Sequence, residues 1–470
     1  MSLSQLYYTM NEESTNSSSL RRSEATFGVR LGPNASESET NFFDSFTEKE
    51  LHDFEENMID VIETVLENEM IHQSNPNSFS MFVHKIVEYI YQDWIHSDTC
   101  TENDYEDIYE YIEELFTQFL ETIENEFPPR QSINTQPNML TTEEKMEITQ
   151  KIGDLQCKYQ PAQRTEEWYE YRHNLITASN IYKTLGTDSQ RNSIIYEKCK
   201  PFTVHKINHF SQDARQWGTI YEPISIMLYE HLYGTSVADF GCIQHATHSC
   251  IGASPDGINV DSSSDRFGRM IEVKNIVNRE ITAIPKEEYW IQMQVQMETC
   301  DLDECDFIET RFKAFDTEEA FYEDTSENQK GVYLCFVENI KSTSDNNIKT
   351  IYLGDNHNGP PKYVYMPLDN ECNRENVQTW IQQQKLELRT THALYSVHYW
   401  YLDEFHCILV KRNRLWFQAA LPKILETWNI IEEERKTGYE HRAAKKRSSS
   451  IDNTVSETVH PDPSMMKNIL

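Results

Sequence analysis

Residues 250–275 read C-IGASPDGINV-DSSSDRFGRM-IEVKN. The stretch reads as two short strands joined by a polar loop, and it carries Asp256, Glu272 and Lys274 in that order. Side chains alternate along a strand, so Glu272 and Lys274 share a face and Val273 points the other way. The apolar Ile271 and Val273 between them fit a half-buried strand. Asp256 lies in SPDG, a tight turn that projects a carboxylate from a strand end. Magnesium takes oxygen ligands and keeps several waters, so two or three carboxylates suffice to hold it. Asp256 and Glu272, with the main-chain carbonyl of Val273, therefore suit a divalent cation held against a phosphodiester. Lys274 can orient a water or neutralise developing charge. Taken alone, an Asp…Glu-x-Lys triplet equally fits an exposed salt bridge.

Working outward, residues 213–233 read as a helix with Trp217, Ile220, Ile224, Met227, Leu228 and Leu232 on one face and Pro223 as a kink candidate. Glu222 on this helix is a third carboxylate, and Gly218, four residues earlier, removes a side chain that could crowd the approach. Residues 284–300 read as the next helix, with Ile291, Val295 and Met297 inward. Tyr289 and Gln292 lie one turn apart on it and share a face. Strands are expected at 236–243, 251–253, 270–274, 304–315 and 331–339, with a hairpin pairing 348–353 and 362–366. A helix at 375–388, one or two aromatic-rich strands within 396–410 and a helix at 414–436 complete the order. The fold class is α/β (α+β).

The chain has 470 residues, enough for two or three domains, and a net charge of −35. Phosphates would be repelled by such a charge if it were uniform. It is not: the first 150 residues hold 31 acidic and 7 basic residues, a net of −24. Charge therefore neither supports nor excludes a DNA substrate. Within 42–127, three acidic amphipathic helices are expected, starting from Phe43, Phe46, Leu51, Phe54, Met58, Ile59, Ile62 and Leu66 at helical spacing. They read as a solvated bundle, or as a docking module for a partner. Domains are expected at 41–127 (acidic helical) and 151–436 (the main domain with a C-terminal extension), with 1–40 and 437–470 disordered and 128–150 a linker leading into a helix near Thr141. Thr142 and Glu144 are its capping candidates, Thr165 caps a helix at 166, and Thr177 or Ser179 caps the one after. The start of the chain lacks the apolar core of a signal peptide, and no apolar run reaches the roughly 20 residues of a membrane span, so an intracellular protein is expected.

Five ordered blocks carry a resemblance. They are Glu167-Trp168 with Arg172, then ITAS at 176–179, WGTIYEP around Glu222, IGASPDG with EVK at 251–257 and 272–274, and YWIQMQ at 289–294. Together they resemble the lambda-exonuclease-like (YqaJ-type) viral recombinase family of the PD-(D/E)XK nuclease superfamily, over roughly 160–315. The resemblance implies a restriction-endonuclease-like core, a central mixed sheet flanked by helices. It also implies a Mg2+- or Mn2+-dependent 5′→3′ exonuclease on double-stranded DNA ends, with two ions, supporting recombination or repair by strand annealing. Glu222, Asp256 and Glu272 are then metal ligands, Lys274 the catalytic lysine and Gln292 a partner of the nucleophilic water. Arg172, Ser179 and Ser254 are then the pocket for a 5′-phosphate. Asn275-Ile276 stands where many members have Cys-Pro, and Arg279 is the nearest candidate for a further phosphate-binding arginine. Implied partners are DNA ends, a single-strand annealing protein and further copies of the chain, in host cytoplasm or nucleus if the source is viral. A catalytically weak end-binding scaffold and an endonuclease on the same fold are the alternatives.

Other clusters rank lower. Cys242, His245, His248 and Cys250 lack zinc-finger spacing, and Cys300, Cys305 and Cys335 do not form an iron–sulfur set. Tyr399, Trp400, Tyr401, Trp416 and Phe417, interleaved with Lys411, Arg412 and Arg414, read as core rather than as a base-stacking surface. RAAKKR at 442–447 reads as a solvated tail.

Overall fold

The apolar periodicity of the acidic region folds as three helices, α1 (Glu48–Glu69), α2 (Ser78–His96) and α3 (Tyr105–Thr122). The computed structural model describes residues 41–132, 140–203, 214–341, 350–351 and 360–443. The expectations for 1–40 and 444–470 lie outside these residues. Phe54, Met58, Ile62 and Leu66, each four residues from the next, form the buried stripe of α1. Thr47 and Glu50 close a reciprocal capping box at its start. The acidic faces look outward, but the apolar ones join a hydrophobic cluster that continues without a break into the rest of the chain. Polar contacts reinforce the joint. Trp416 donates its indole N–H to the Ile71 carbonyl at 3.1 Å. The buried Arg130 guanidinium bonds the carbonyls of Ser74 and Pro285.

The remaining elements follow in order. Helix α4 (Thr142–Cys157) is capped by Thr141 with Glu144, one residue earlier than expected because Thr141, not Thr142, takes the extended capping conformation. Next come α5 (Glu166–His173), β1 (Ile176–Thr177), α6 (Ala178–Leu185), α7 (Asp188–Cys199) and α8 (Ala214–Tyr233). Thr165 caps α5 as expected, whereas Thr177, the residue before α6, makes no side-chain capping bond. Helix α8 runs on through Pro223, and Leu232 lies half exposed, off the buried face. Strands β2 (Val237–Ala238), β3 (Ile243–Gln244), β4 (Ile251–Ala253), β5 (Gly257–Asn259) and β6 (Met270–Asn275) lead to α9 (Glu287–Cys300). Then follow β7 (Glu304–Ala314), α10 (Glu318–Glu323), β8 (Lys330–Glu338), β9 (Ile340–Lys341), β10 (Thr350–Ile351), β11 (Lys362–Tyr365), α11 (Arg374–Leu388), β12 (His392–Lys411) and α12 (Arg414–Thr437).

A seven-stranded mixed sheet, ordered β11-β8-β12-β7-β6-β5-β2, forms the centre, with a small β1-β4-β3 sheet beside it. Only β6 and β7 run parallel in the large sheet. Helices flank the sheets, which is the α/β architecture expected. Among the described residues no helix is long and apolar enough to cross a membrane.

Several local expectations change. The stretch 250–275 forms three strands, not two, and β4 belongs to the small sheet while β5 and β6 form the hairpin. The expected strand at 236–243 divides into β2 and β3, which join different sheets. The bend falls at Gly241, where a Cβ would sit 2.2 Å from the Pro161 carbonyl oxygen. Of the expected 348–353/362–366 hairpin, 348–349 and 352–353 lie outside the described residues, and among the described residues the two segments do not pair. Strand β11 pairs with β8 and β10 with β9, because alternation identifies a strand but not its partner. The region 396–410 is part of a single 20-residue strand. Bulges at Leu394/Ser396 and Leu402/Glu404 let it pair with β8 through its first half and β7 through its second. Helix α9 begins at Glu287 rather than 284, after Ala283 takes a left-handed φ of 57°. Within the described part of the tail, Glu440–Arg442 form a short 3-10 turn, and Arg442 pairs with Glu434 of α12, where a disordered segment was expected. Trp400 and Trp416 are fully buried, in keeping with the core reading.

Candidate active site

Strand β6 is buried on both faces through Val273, and its two faces serve different purposes. Ile271 and Val273 pack with Tyr229 of α8 and Ile308 of β7. Glu272, only 1% exposed, points instead to α9. There Gln292 donates to its Oε1 at 2.8 Å and Gln296 to its Oε2 at 2.7 Å. Lys274, two residues on and on the same face, also bonds Oε1. Asp256, at the start of the hairpin, accepts the Val273 N–H at 2.8 Å. That bond locks the SPDG turn to the strand carrying Glu272.

Glu222 reaches the same cavity from α8. A polar joint fixes that helix to the sheet. Asn275 Oδ1 accepts from Ser225 at 2.8 Å and from Thr310 at 2.7 Å, and its amide nitrogen reaches the Gly218 carbonyl at 3.4 Å. The position that departs from the family pattern therefore holds α8 in place. Gly218 does not relieve crowding, since a Cβ there would meet open space.

The cavity measures about 250 Å³ and is lined by Glu222, Asp256, Glu272, Val273, Lys274 and Gln292, with Arg172, Ser179 and Ser254 on another wall. Burial, then the neighbouring Glu272 and Glu222, push the Asp256 carboxyl well above the usual range. Burial also raises Glu222, against the opposing pull of Arg164. Lys274 is held above the ordinary lysine range by Glu272 and Asp256, although burial acts to discharge it. Carboxylates crowded in this way oppose one another's ionisation, an opposition that a divalent cation would relieve. The donor set, oxygens alone, is the one magnesium or manganese takes, so the residues fit such an ion. In this arrangement Arg164 and Lys274 supply the positive charge, and among the described residues no three His, Cys, Asp or Glu side chains converge into a cage. Among the described residues Cys242, His245, His248 and Cys250 form no metal-holding group either: the His245 and His248 rings lie 4.9 Å apart, but His245 stacks on Phe417, and Cys242 lies against Ser254 and Arg172.

The second wall is cationic. Arg172 donates to Ser254 at 3.1 Å, Ser179 at 3.0 Å and Thr177 at 3.4 Å. Trp168 stacks on the guanidinium, 4.2 Å from centroid to Cζ, and gives its indole N–H to Ser254 at 3.2 Å. Lys198, 3% exposed, lies behind it and bonds the Arg172 carbonyl at 2.8 Å. Among the described residues neither cation makes an ion pair. Burial lowers Arg172 and pushes Lys198 down to about 8. A buried cation without a carboxylate is costly, so this wall is a preformed place for an anion.

Residues 167–303 match the YqaJ-like viral recombinase domain. This is the family whose resemblance the sequence motifs carry. The YqaJ-like segment contains the whole carboxylate cluster and the cationic wall, except for Gln163 and Arg164 just before it. An uncharacterized protein, R354, of Acanthamoeba polyphaga mimivirus is 28% identical over 301 residues, which are 57% of this chain and 52% of the relative. The chain thus aligns with about half the length of that relative. An alkaline exonuclease (LHK-Exo) from Laribacter hongkongensis is 18% identical, with 58% of this chain and 95% of that one covered, at a TM-score of 0.33. A phage-related exonuclease from Haemophilus somnus 129PT is 15% identical, with 57% and 96% covered, at 0.29.

Two sequence candidates lie apart from the cavity lining. Arg279 pairs with the buried Glu309 of β7, and Tyr289 faces Lys274, whose Nζ lies 4.8 Å from its ring centroid. Missed altogether were Gln296, Lys198, Gln163 and Arg164. For Gln296 there was a signal, its four-residue spacing from Gln292. For Lys198 there was none, because its place depends on α7 bringing it to the Arg172 carbonyl of α5.

Proposed function

We propose that this chain is a divalent-metal-dependent deoxyribonuclease that degrades double-stranded DNA 5′→3′ from phosphorylated ends, leaving single strands for annealing in recombination or repair. One observation carries the reading: an anion pocket that holds no carboxylate among the described residues opens into the same cavity as three carboxylates, the buried Glu272 and the half-buried Asp256 and Glu222. The Arg172 fork and the hydroxyls of Ser179, Ser254 and Thr177 would hold a terminal phosphate by charge-assisted bonds. That would place the first phosphodiester of the strand at the carboxylates. Glu222, Asp256, Glu272 and the Val273 carbonyl would hold one or two Mg2+ or Mn2+ ions. Bound there, the metal supplies Lewis-acid charge stabilisation and a water of lowered pKa. Gln292 and Gln296 fix the Glu272 carboxylate. The Lys274 ammonium would orient the attacking water and neutralise charge on the phosphate. The match to the YqaJ-like viral recombinase domain supports a DNA substrate, and the mimivirus relative supports a viral setting, in host cytoplasm or nucleus. A single-strand annealing protein and further copies of the chain are the partners this reading calls for.

The test uses linear duplex with 5′-phosphate or 5′-hydroxyl ends, and closed circular DNA, in Mg2+. Loss of linear DNA only, preferring 5′-phosphate and abolished by Asp256→Asn, is expected. Nicking of circles would favour an endonuclease. End binding without cleavage in Mg2+ or Mn2+ would leave a scaffold.

A further inference from the structure

Arg164 stands at the junction of the two walls. Gln163 before it donates to the carbonyls of Phe240 and Pro255, the latter adjoining Asp256. Thr165 after it caps α5, the helix that carries Arg172. Arg164 itself takes a φ of 66°, in the left-handed region that non-glycine residues seldom adopt. Its backbone is thus fixed between the carboxylate turn and the anion pocket. Its side chain is less confined, with 42% of it exposed, and Nη2 donates to both Glu222 oxygens at 2.8 Å. Those two oxygens are the ones a cation at Glu222 would need. Solvent reaches this pair from the Arg164 side and screens it, so a divalent cation can displace it.

Resting on the nuclease reading above, we propose that Arg164 is a two-position residue. Without a divalent cation it neutralises Glu222. Once a cation takes that carboxylate, the guanidinium turns to a phosphate of the strand lying between the anion pocket and the carboxylates. The chemistry permits the exchange, because the same planar fork pairs with carboxylate or with phosphate. Geometry favours it as well, since Arg164 lines the same cavity as Arg172 and the carboxylates. Arg164 would then make DNA contact conditional on metal.

Two measurements test this on the full chain. Calorimetric titration with Mn2+ alone compares wild type, Arg164→Met and Asp256→Asn. Removing the competing guanidinium should tighten Mn2+ binding by about fivefold, and Asp256→Asn should weaken it. Binding of a fluorescent 5′-phosphorylated duplex end is then followed against salt concentration, with and without Ca2+. With Ca2+, Arg164→Met should reduce the salt slope by about one unit, the loss of one phosphate contact. Without a divalent ion the two slopes should coincide. Equal Mn2+ affinities in wild type and Arg164→Met, or a slope difference that persists without Ca2+, would overturn the proposal. Absence of Mn2+ binding to wild type and Arg164→Met alike would instead overturn the nuclease reading beneath it.

Discussion

Gln296 donates its amide to Oε2 of Glu272 at 2.7 Å, completing a grip that Gln292 begins on Oε1 one helical turn earlier. The carboxylate is almost wholly buried. Gln296→Leu should cost about 1–3 kcal/mol of stability, the penalty for a buried polar group left short of a partner. It should also lower kcat by about 10–100-fold, as loss of an orienting contact beside a metal ligand does. The Michaelis constant for DNA should hardly move. Urea unfolding and steady-state kinetics on linear duplex check both parts.

Arg172 bonds three hydroxyls and a tryptophan face but, among the described residues, no carboxylate. Arg172→Met should therefore remove the preference for 5′-phosphate over 5′-hydroxyl ends without lowering the melting temperature. Arg172→Lys should not restore the preference, because an ammonium lacks the planar fork. The ratio of kcat/KM on the two kinds of end is the readout.

Burial pushes the Lys198 ammonium down to about 8, and Arg172 and Arg435 act in the same direction. In the unfolded chain it titrates near the ordinary value of about 10.4. Between these values the unfolded state binds more protons, so this group makes stability rise with pH across that window. The penalty of burying the charge is present in full below about 8. The unfolding free energy of wild type minus that of Lys198→Met should increase from pH 7.5 to about 10. A flat difference would show that Lys198 is not charged and buried in the native state.

Arg130 joins the loop before α9 to the turn after α1 by bonds to the Pro285 and Ser74 carbonyls, 2.5 and 3.0 Å long. Because the acidic helices share one hydrophobic cluster with α9 and α12, they should unfold together with the sheet. Far-UV circular dichroism and tryptophan fluorescence should give coincident denaturation curves. Arg130→Met should shift both midpoints down together, by about 1–3 kcal/mol in unfolding free energy. Two separated transitions would show that the helical region is an independent unit.

The sequence by itself determined most of the helices and strands, since helical spacing and strand alternation are local properties, but not α7, α10 or the division between β2 and β3. It also determined the order of the chemistry: Asp256, Glu272 and Lys274 within one hairpin, Glu222 and Gln292 on the neighbouring helices, and Arg172, Ser179 and Ser254 through the family motifs. Only the tertiary structure decided partners. It gave β11 to β8, divided 236–243 between two sheets and made one strand of 392–411. It also moved Arg279 onto Glu309 and brought Lys198, Gln296 and Arg164 to the cavity region. The physical reason is the same in each case. Periodicity says which face of an element is apolar, but which other face covers it, and which charge is left without a partner, depends on contacts between residues far apart in the chain.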